Sequence, residues 1–283
     1  MSRGSTMPTI ADKRRTFRKL HETGCFVIPN PWDIGSAHYL QHLGFKALAT
    51  TSAGFAFTRA LPDGGVPRDM MLAHIREIVE ATELPVNADF EAGYARDPQG
   101  VAESVRLGVE TGVAGLSIED ATGERAQPLF DLDTAVLRMR AARAAIDKAG
   151  GDVMLVGRCE CYLVGRPDIA ETVARLKAYS GAGADCLYAP GIRTREEVAA
   201  VVEAVAPKPV NVIRSSAAGL NVSELAALGV RRISVGSALA RAAWGAFIKA
   251  TRDILDHGRF DGFAGAAPNA ELNELFDKDL KRR

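Results

Sequence analysis

The sequence predicts an α/β protein built as a (β/α)8 TIM barrel, and three observations predict it. Eight short apolar runs alternate with eight helix-like segments. Several of the runs are near-continuously apolar, as parallel strands covered on both faces should be. The length, 283 residues, suits one such barrel. A single domain over 1–283 is therefore expected, with 1–10 as a disordered N-terminal extension and 257–283 as a C-terminal tail or helix. A doubly wound open sheet is the main rival. It usually carries a glycine fingerprint after its first strand, and Asn30-Pro31-Trp32-Asp33 cannot serve as that loop.

In order along the chain, the apolar run 25–29 is the first strand. Asn30-Pro31-Trp32 turns the chain, and Asp33 caps a helix that Gly44 stops. Residues 46–50 form the second strand and open into a long loop, 51–65. A helix follows over 68–82, with Ile75, Ile78 and Val79 at helical spacing. The third strand, 84–88, leads into Asp89-Phe90-Glu91-Ala92-Gly93-Tyr94, and Asp97-Pro98 starts the next helix as cap and first residue. Strand four, 114–118, ends in Glu119-Asp120 and is followed by a helix capped at Asp131 or Asp133. Strand five, 153–157, ends in Arg158-Cys159-Glu160, and Pro167 begins a helix. Strand six, 185–188, ends at Ala189-Pro190-Gly191, and Thr194 caps the helix after it. Strand seven is 209–213, with a short helix capped by Ser223 and closed by Gly229. Strand eight, 231–235, opens through Gly236-Ser237 into a long apolar helix.

Composition excludes some functions. Lys plus Arg equals Asp plus Glu, so the net charge is zero and no basic stripe points to nucleic acid. The basic end, 278–283, reads as a frayed tail. No apolar run approaches the roughly 20 residues of a membrane span. The N-terminus lacks an apolar signal region, so a cytoplasmic location is expected. Cys25, Cys159, Cys161 and Cys186 sit in or beside apolar runs, where buried reduced thiols are usual. Cys159-Glu160-Cys161 has no second Cys or His pair to complete a zinc site. The five histidines fall in helix-like segments and read as surface or satisfied residues.

In a barrel the C-terminal strand ends converge on one mouth. Here they bring Thr50, Thr51 and Ser52, Asp89 and Glu91, Glu119 and Asp120, Arg158 and Glu160, and Asn211. Residues i and i+2 of a strand share a face, so Asp89 and Glu91 start out pointing the same way. Gathered carboxylates repel unless a cation joins them, and hard divalent ions prefer such oxygens. With one arginine and no lysine, the site suits a small carboxylate substrate with a neighbouring oxo group. A metal would act as a Lewis acid on an enolate oxygen, and Arg158 would hold the carboxylate or the developing charge. A Schiff-base aldolase needs a strand-end lysine, which Lys46, Lys177 and Lys208 do not provide. Val235-Gly236-Ser237 could bind phosphate at a helix N-terminus, though a tight turn is the favoured reading.

Over residues 28–256 the chain resembles the phosphoenolpyruvate mutase/isocitrate lyase superfamily. The resemblance rests on Thr51-Ser52-Ala53-Gly54, Leu61-Pro62-Asp63, Asp89-Phe90-Glu91-Ala92-Gly93-Tyr94, Ile118-Glu119-Asp120 and Gly157-Arg158-Cys159-Glu160. It implies a barrel, often tetrameric with the last helix exchanged between subunits, Mg2+ or Mn2+ as cofactor, and chemistry through a pyruvate-like enolate. It makes Asp89 the direct metal ligand, with Glu91 and Glu119 acting through water. Ser52, Ala53 and Gly54, beside Thr51 and Asn211, would take the substrate carboxylate. Arg158 would bridge to the enolate oxygen or the carboxylate. Asp63 would act from a mobile lid, and Glu160 or Tyr188 would supply proton transfer. The loop 120–128 carries none of the cysteine, lysine or histidine of the family's carbon–carbon lyases, and strand six ends without the mutase histidine. Three functions are thus open: a lyase or decarboxylase of a 2-oxo or 2-hydroxy dicarboxylate, a phosphonate or oxaloacetate hydrolase or mutase, and a barrel that only binds oxo-acids.

Overall fold

The computed structural model describes residues 7–281. Its sheet has eight strands: β1 (Phe26–Ile28), β2 (Leu48–Ala49), β3 (Val86–Asp89), β4 (Gly115–Glu119), β5 (Met154–Arg158), β6 (Cys186–Tyr188), β7 (Val210–Ile213) and β8 (Arg232–Ser234). All pairs are parallel, running from β2 through β8 and on to β1. The remaining seam, between β1 and β2, is bridged by the Ala49 N–H on the Pro29 carbonyl at 3.0 Å and by Asn30 Nδ2 on the Thr50 carbonyl at 2.8 Å. The result is a nearly closed (β/α)8 barrel, as the apolar runs predict.

Around it lie α1 (Ile10–Leu20), α2 (Ile34–His42), α3 (Ser52–Thr58), α4 (Arg68–Ala81), α5 (Pro98–Glu110), α6 (Leu132–Lys148), α7 (Ile169–Gly181), α8 (Arg195–Val205), α9 (Val222–Ala227), α10 (Ala238–His257) and α11 (Asn269–Leu280). Local chemistry sets most starts. Asp33, Asp97, Asp131 and Thr194 each accept a backbone N–H of their own first turn. Two predicted starts are displaced: α7 begins at Ile169 behind an Asp168 cap rather than at Pro167, and Asn221, not Ser223, caps α9.

The extension predicted over 1–10 is corrected at its end. Residues 1–6 lie outside the described residues, but Thr9 caps α1 and Ile10 begins it. This helix closes the N-terminal end of the barrel: Phe17 is fully buried, and a Cβ on Gly115, the first residue of β4, would stand 2.7 Å from its ring. The loop predicted over 51–65 contains α3. Lys278 belongs to α11 rather than to a frayed tail. Buried His38 meets Asp279 at 3.0 Å and ties α11 to α2 of the same chain.

Helix α10 breaks the pattern. Of its 20 residues only Ala240 and Ala250 are buried, while Trp244, Phe247, Ile248 and Leu255 stand exposed. Phe260 and Phe263, in the turn that follows, extend the apolar face. Among the described residues no helix is long and apolar enough to cross a membrane.

Three histidines are buried rather than at the surface, namely His21, His38 and His74. His21 is wedged edge-on between Phe17 and Phe26, and His74 stacks on Phe55 at 3.8 Å. Burial lowers the pKa of His21 to about 3 and that of His74 to about 4. Unfolded, both would titrate near 6.5. Below that pH the unfolded chain binds protons the folded one refuses, so stability is full above pH 6.5 and declines as the pH falls. Each histidine is expected to remove about 2 kcal/mol by pH 5. Thermal melts of the protein and of a His21→Gln/His74→Gln variant check this. The variant should show a flatter decline from pH 6.5 to 5, and an identical slope would refute the assignment.

Candidate active site

Three strands end on the residues that matter. Asp89 closes β3, Glu119 closes β4 and Arg158 closes β5. The ladder sets Glu119 opposite Arg158, and Arg158 opposite Tyr188 of β6. Arg158 Nη1 donates to Asp89 Oδ1 at 3.2 Å and pairs with Glu119 Oε2 at 3.0 Å, while Nε donates to Glu160 Oε1 at 2.5 Å. Its guanidinium carbon lies 5.3 Å from the centre of the Tyr188 ring. One cation thus holds three carboxylates from three strand ends.

The other oxygen of Asp89 accepts the Ser52 N–H at 2.9 Å and the Ser52 hydroxyl at 2.8 Å. The Asp89 N–H donates to Thr50 Oγ1. Glu91 does not continue the strand face: its φ is +47°, a left-handed conformation uncommon for a non-glycine residue. It still reaches the cavity, and its Oε1 is buried without a hydrogen-bond partner. The segment after it is clamped by Arg138, whose guanidinium donates to the carbonyls of Ala92, Ala95 and Arg96 and lies 3.9 Å from the Phe130 ring centre.

The electrostatics follow from crowding and burial. Burial, reinforced by Asp89, raises the Glu91 pKa to about 7. Burial lifts Glu119 well above the usual carboxylate range against the pull of Arg158, and it raises Glu160 as well. Asp63 is raised by burial and then by Asp89. Burial pushes the Tyr188 hydroxyl up to about 12. Groups that resist ionisation while packed together are what a dication would relieve.

All these side chains face one cavity of about 570 Å³, lined also by Thr51, Ala53 and Asn211. Two predicted members are not there. Asp120 turns away from the mouth: its Oδ1 accepts the Glu160 N–H at 2.8 Å, and its Oδ2 accepts the Tyr179 hydroxyl and Arg175. It orients Glu160 from behind. Gly54 sits behind the wall, where a Cβ would lie 2.5 Å from Thr51 Cγ2 and 3.2 Å from Trp32 Cβ. Its missing side chain serves helix packing rather than approach to a ligand, and its N–H is taken by Thr51 Oγ1. The N–H groups of Val235 and Gly236 both donate to Asn30 Oδ1, so that segment is a tight turn rather than an open phosphate cradle. The four cysteines are free thiols, Cys25 half-buried and the others buried.

The reading of strand ends missed the floor. Asn87, Arg232 and Ser234 line the bottom of the same cavity. Asn87, between Val86 and Ala88, interrupts an apolar run and was legible on that ground; Arg232 and Ser234 open and close β8 and carried no such signal.

The donor set fits a hard dication. Asp89, Glu91 and Glu119 offer carboxylate oxygens, one of them orphaned. Among the described residues no three ligating side chains converge closely enough to cage an ion directly. That spacing suits an ion such as Mg2+, which keeps several waters and takes only one or two carboxylates.

A family model described as phosphoenolpyruvate phosphomutase matches residues 17–255. Among solved structures, a lyase/mutase candidate from Burkholderia cenocepacia J2315 is 49% identical, with a TM-score of 0.92 over 95% of this chain and 97% of that one. Oxaloacetate acetylhydrolase in complex with the product oxalate is 29% identical, with a TM-score of 0.82 over 94% of both chains. An oxaloacetate decarboxylase from Chromohalobacter salexigens is 30% identical over 89% of this chain and 87% of its own length.

Proposed function

The chain belongs to the phosphoenolpyruvate phosphomutase family, within the phosphoenolpyruvate mutase/isocitrate lyase superfamily of metal-dependent lyases, decarboxylases, hydrolases and mutases, and from that premise we propose that it is a Mg2+- or Mn2+-dependent lyase or decarboxylase. Its substrate is a small 2-oxo or 2-hydroxy dicarboxylate. The observation that carries this reading is Arg158 Nη1 lying between Asp89 and Glu119 over a single cavity. Membership of an enzyme family sets aside the barrel that only binds.

Asp89 would hold the ion directly, and Glu91 and Glu119 would hold it through water. Bound there, the ion supplies Lewis-acid stabilisation of the oxygen on which negative charge develops. The residues of the chain do the rest. The Ala53 N–H, beside Thr51, receives the substrate carboxylate. Ser52, whose N–H and hydroxyl both go to Asp89, steadies the Asp89 carboxylate instead, and Asn211 belongs to the floor with Arg232 and Ser234. Arg158 neutralises the developing charge and, through its contact with the Tyr188 ring, keeps that hydroxyl close by. Tyr188, still protonated at neutral pH, donates a proton to the carbanionic carbon. Asp63 comes from the loop before α4 and is raised by its surroundings, so it offers a second proton carrier. The Glu160 carboxylate is held by Arg158 Nε, and its backbone N–H is held by Asp120 Oδ1. The loop 120–128 contributes nothing to the cavity lining beyond this.

A second reading is hydrolysis of the same substrate class. It is favoured by the likeness to oxaloacetate acetylhydrolase across 94% of the chain. The apolar outer face of α10 supports self-association, in our reading a homotetramer, in which this helix packs on a neighbouring barrel. A panel of dicarboxylates tests the chemistry, each assayed for 2-oxo acid, CO2 and oxalate with Mg2+, Mn2+ or EDTA. A 2-oxo acid that appears with metal and vanishes with EDTA is the expected result. Oxalate release would select hydrolysis, and silence across the panel would refute both readings.

A further inference from the structure

Below the carboxylates the cavity ends in a floor that the proposed chemistry does not use. We propose that this floor is a binding site for a second carboxylate of the substrate, anchored by Arg232, and that this carboxylate is retained in the product. The inference rests on the reading of the mouth as a metal and carboxylate site.

Arg232 is 3% exposed, yet it lines the cavity. Its Nε donates to Asn211 Oδ1 at 2.9 Å and its Nη1 to Asn87 Oδ1 at 3.2 Å. Asn211 in turn donates to Ser234 Oγ at 3.0 Å. These partners orient the guanidinium from β3 and β7 without neutralising it. Among the described residues no carboxylate pairs with Arg232. The other buried or half-buried arginines near the barrel differ. Arg158 holds three carboxylates, and Arg175 pairs with Asp120 and Glu171. Arg138 is sealed by three carbonyls and an aromatic ring, away from the cavity. A buried cation that is rigidly aimed, charged and open to a ligand cavity is complete only when an anion enters.

The depth fits a diacid. Asn87 stands two residues below Asp89 on one face of β3, about 6.6 Å along the strand. A four-carbon diacid gripped at the mouth by its first carboxylate reaches this layer with its other end.

The position also separates the two chemistries. In decarboxylation the distal carboxylate leaves as CO2 and its charge moves to the neighbouring carbon. A guanidinium holding that carboxylate opposes the step. In cleavage of a 2-hydroxy diacid, the hydroxyl gives its proton to a base and C2 becomes the oxo carbon. The C2–C3 bond breaks, and its electron pair passes to C3 and spreads onto the distal carboxylate. C3 then takes up a proton, giving a 2-oxo acid and a monocarboxylic acid with no further reactant. Charge on the distal carboxylate grows in that step, and Arg232 stabilises it. The floor therefore favours the lyase over the decarboxylase.

Malate and lactate differ by the distal carboxylate alone, so calorimetry with both as racemates in Mg2+ isolates the floor. Oxalate, which engages only the mouth, is the control. The wild-type protein is expected to bind malate about tenfold or more tighter than lactate. Arg232→Met should shrink that preference to about threefold or less while oxalate binds as before. Arg232→Lys keeps the charge without the fork and should fall between. The inference is overturned if malate keeps its advantage in Arg232→Met, or if the wild type binds lactate as tightly as malate while oxalate binds well. Should Arg232→Met fail to fold, the wild-type comparison and Arg232→Lys decide. If oxalate does not bind with Mg2+, the reading of the mouth fails and the inference falls with it.

Discussion

Replacing Arg158 with methionine is expected to lower kcat/KM by about 10³-fold and to destabilise the metal-free protein by about 3–5 kcal/mol. Both effects have one source. Arg158 is the cation that Asp89, Glu119 and Glu160 share, and its side chain is 16% exposed, so solvent screens it poorly. Methionine fills the volume and leaves three acids facing one another. Part of the cost is recovered because Glu119 and Glu160, already resistant to ionisation, take up protons. Glu91 behaves likewise, with its pKa at about 7. A carboxyl whose folded pKa exceeds its unfolded one binds more protons when folded, so this penalty shrinks as the pH falls. The melting deficit of the variant should therefore narrow as the pH is lowered through about 7. Saturating Mg2+ should restore more melting temperature to the variant than it adds to the wild type, yet restore no activity. A variant that melts and turns over like the wild type would show that Arg158 is a bystander.

The barrel was legible because parallel strands buried on both faces have little choice but to be apolar, and their polar ends stand out. The elements that escaped lack that contrast. Helix α1 is largely charged, and its ties to the barrel end are one buried phenylalanine, Phe17, and basic side chains that reach backbone carbonyls: Lys13 donates to Val79 and Thr82, and Arg14 to Val109 and Val113. Helix α3, Ser-Ala-Gly-Phe-Ala-Phe-Thr, has no polar face and contains a glycine, so it reads as a loop despite its Thr51 cap. Of the adjacent acids Glu119 and Asp120, only strand register decides which faces the cavity. It selects Glu119, and Asp120 turns to Arg175 and Tyr179. Asp89 and Glu91 share a face in an ideal strand, but β3 stops at Asp89 and the left-handed turn at Glu91 re-aims its side chain. Arg232 was hidden for the opposite reason. An arginine at the start of an apolar run resembles an exposed strand edge, and nothing in the local sequence says that the neighbouring faces are closed. The exposed side of α10 also depends on tertiary placement: its pattern is that of a buried helix, and the barrel of its own chain does not cover it.

Asp89→Asn should abolish metal-dependent turnover, by about 10³-fold or more, while leaving the fold in place. The substitution is isosteric. An amide oxygen can still accept the Ser52 N–H and hydroxyl that now reach Asp89 Oδ2 at 2.9 and 2.8 Å. Arg158 keeps Glu119 and Glu160 as counter-charges, so no cation is stranded. What disappears is the carboxylate proposed to touch a dication directly, and neutral amide oxygens hold Mg2+ far less well than carboxylates. Thermal melts separate this from unfolding. A ligand that binds only the folded state stabilises it as RT ln(1 + [L]/Kd), so the wild type should gain melting temperature steadily with Mn2+. Asp89→Asn should melt near the metal-free wild type and stay there as Mn2+ is added. Glu91→Gln and Glu119→Gln, which would act through water, should weaken the Mn2+ response by about 10–100-fold in affinity without erasing it. If Asp89→Asn responds to Mn2+ as the wild type does while one of the glutamate variants does not, the direct ligand is that glutamate, and the order of roles around Arg158 must be reversed.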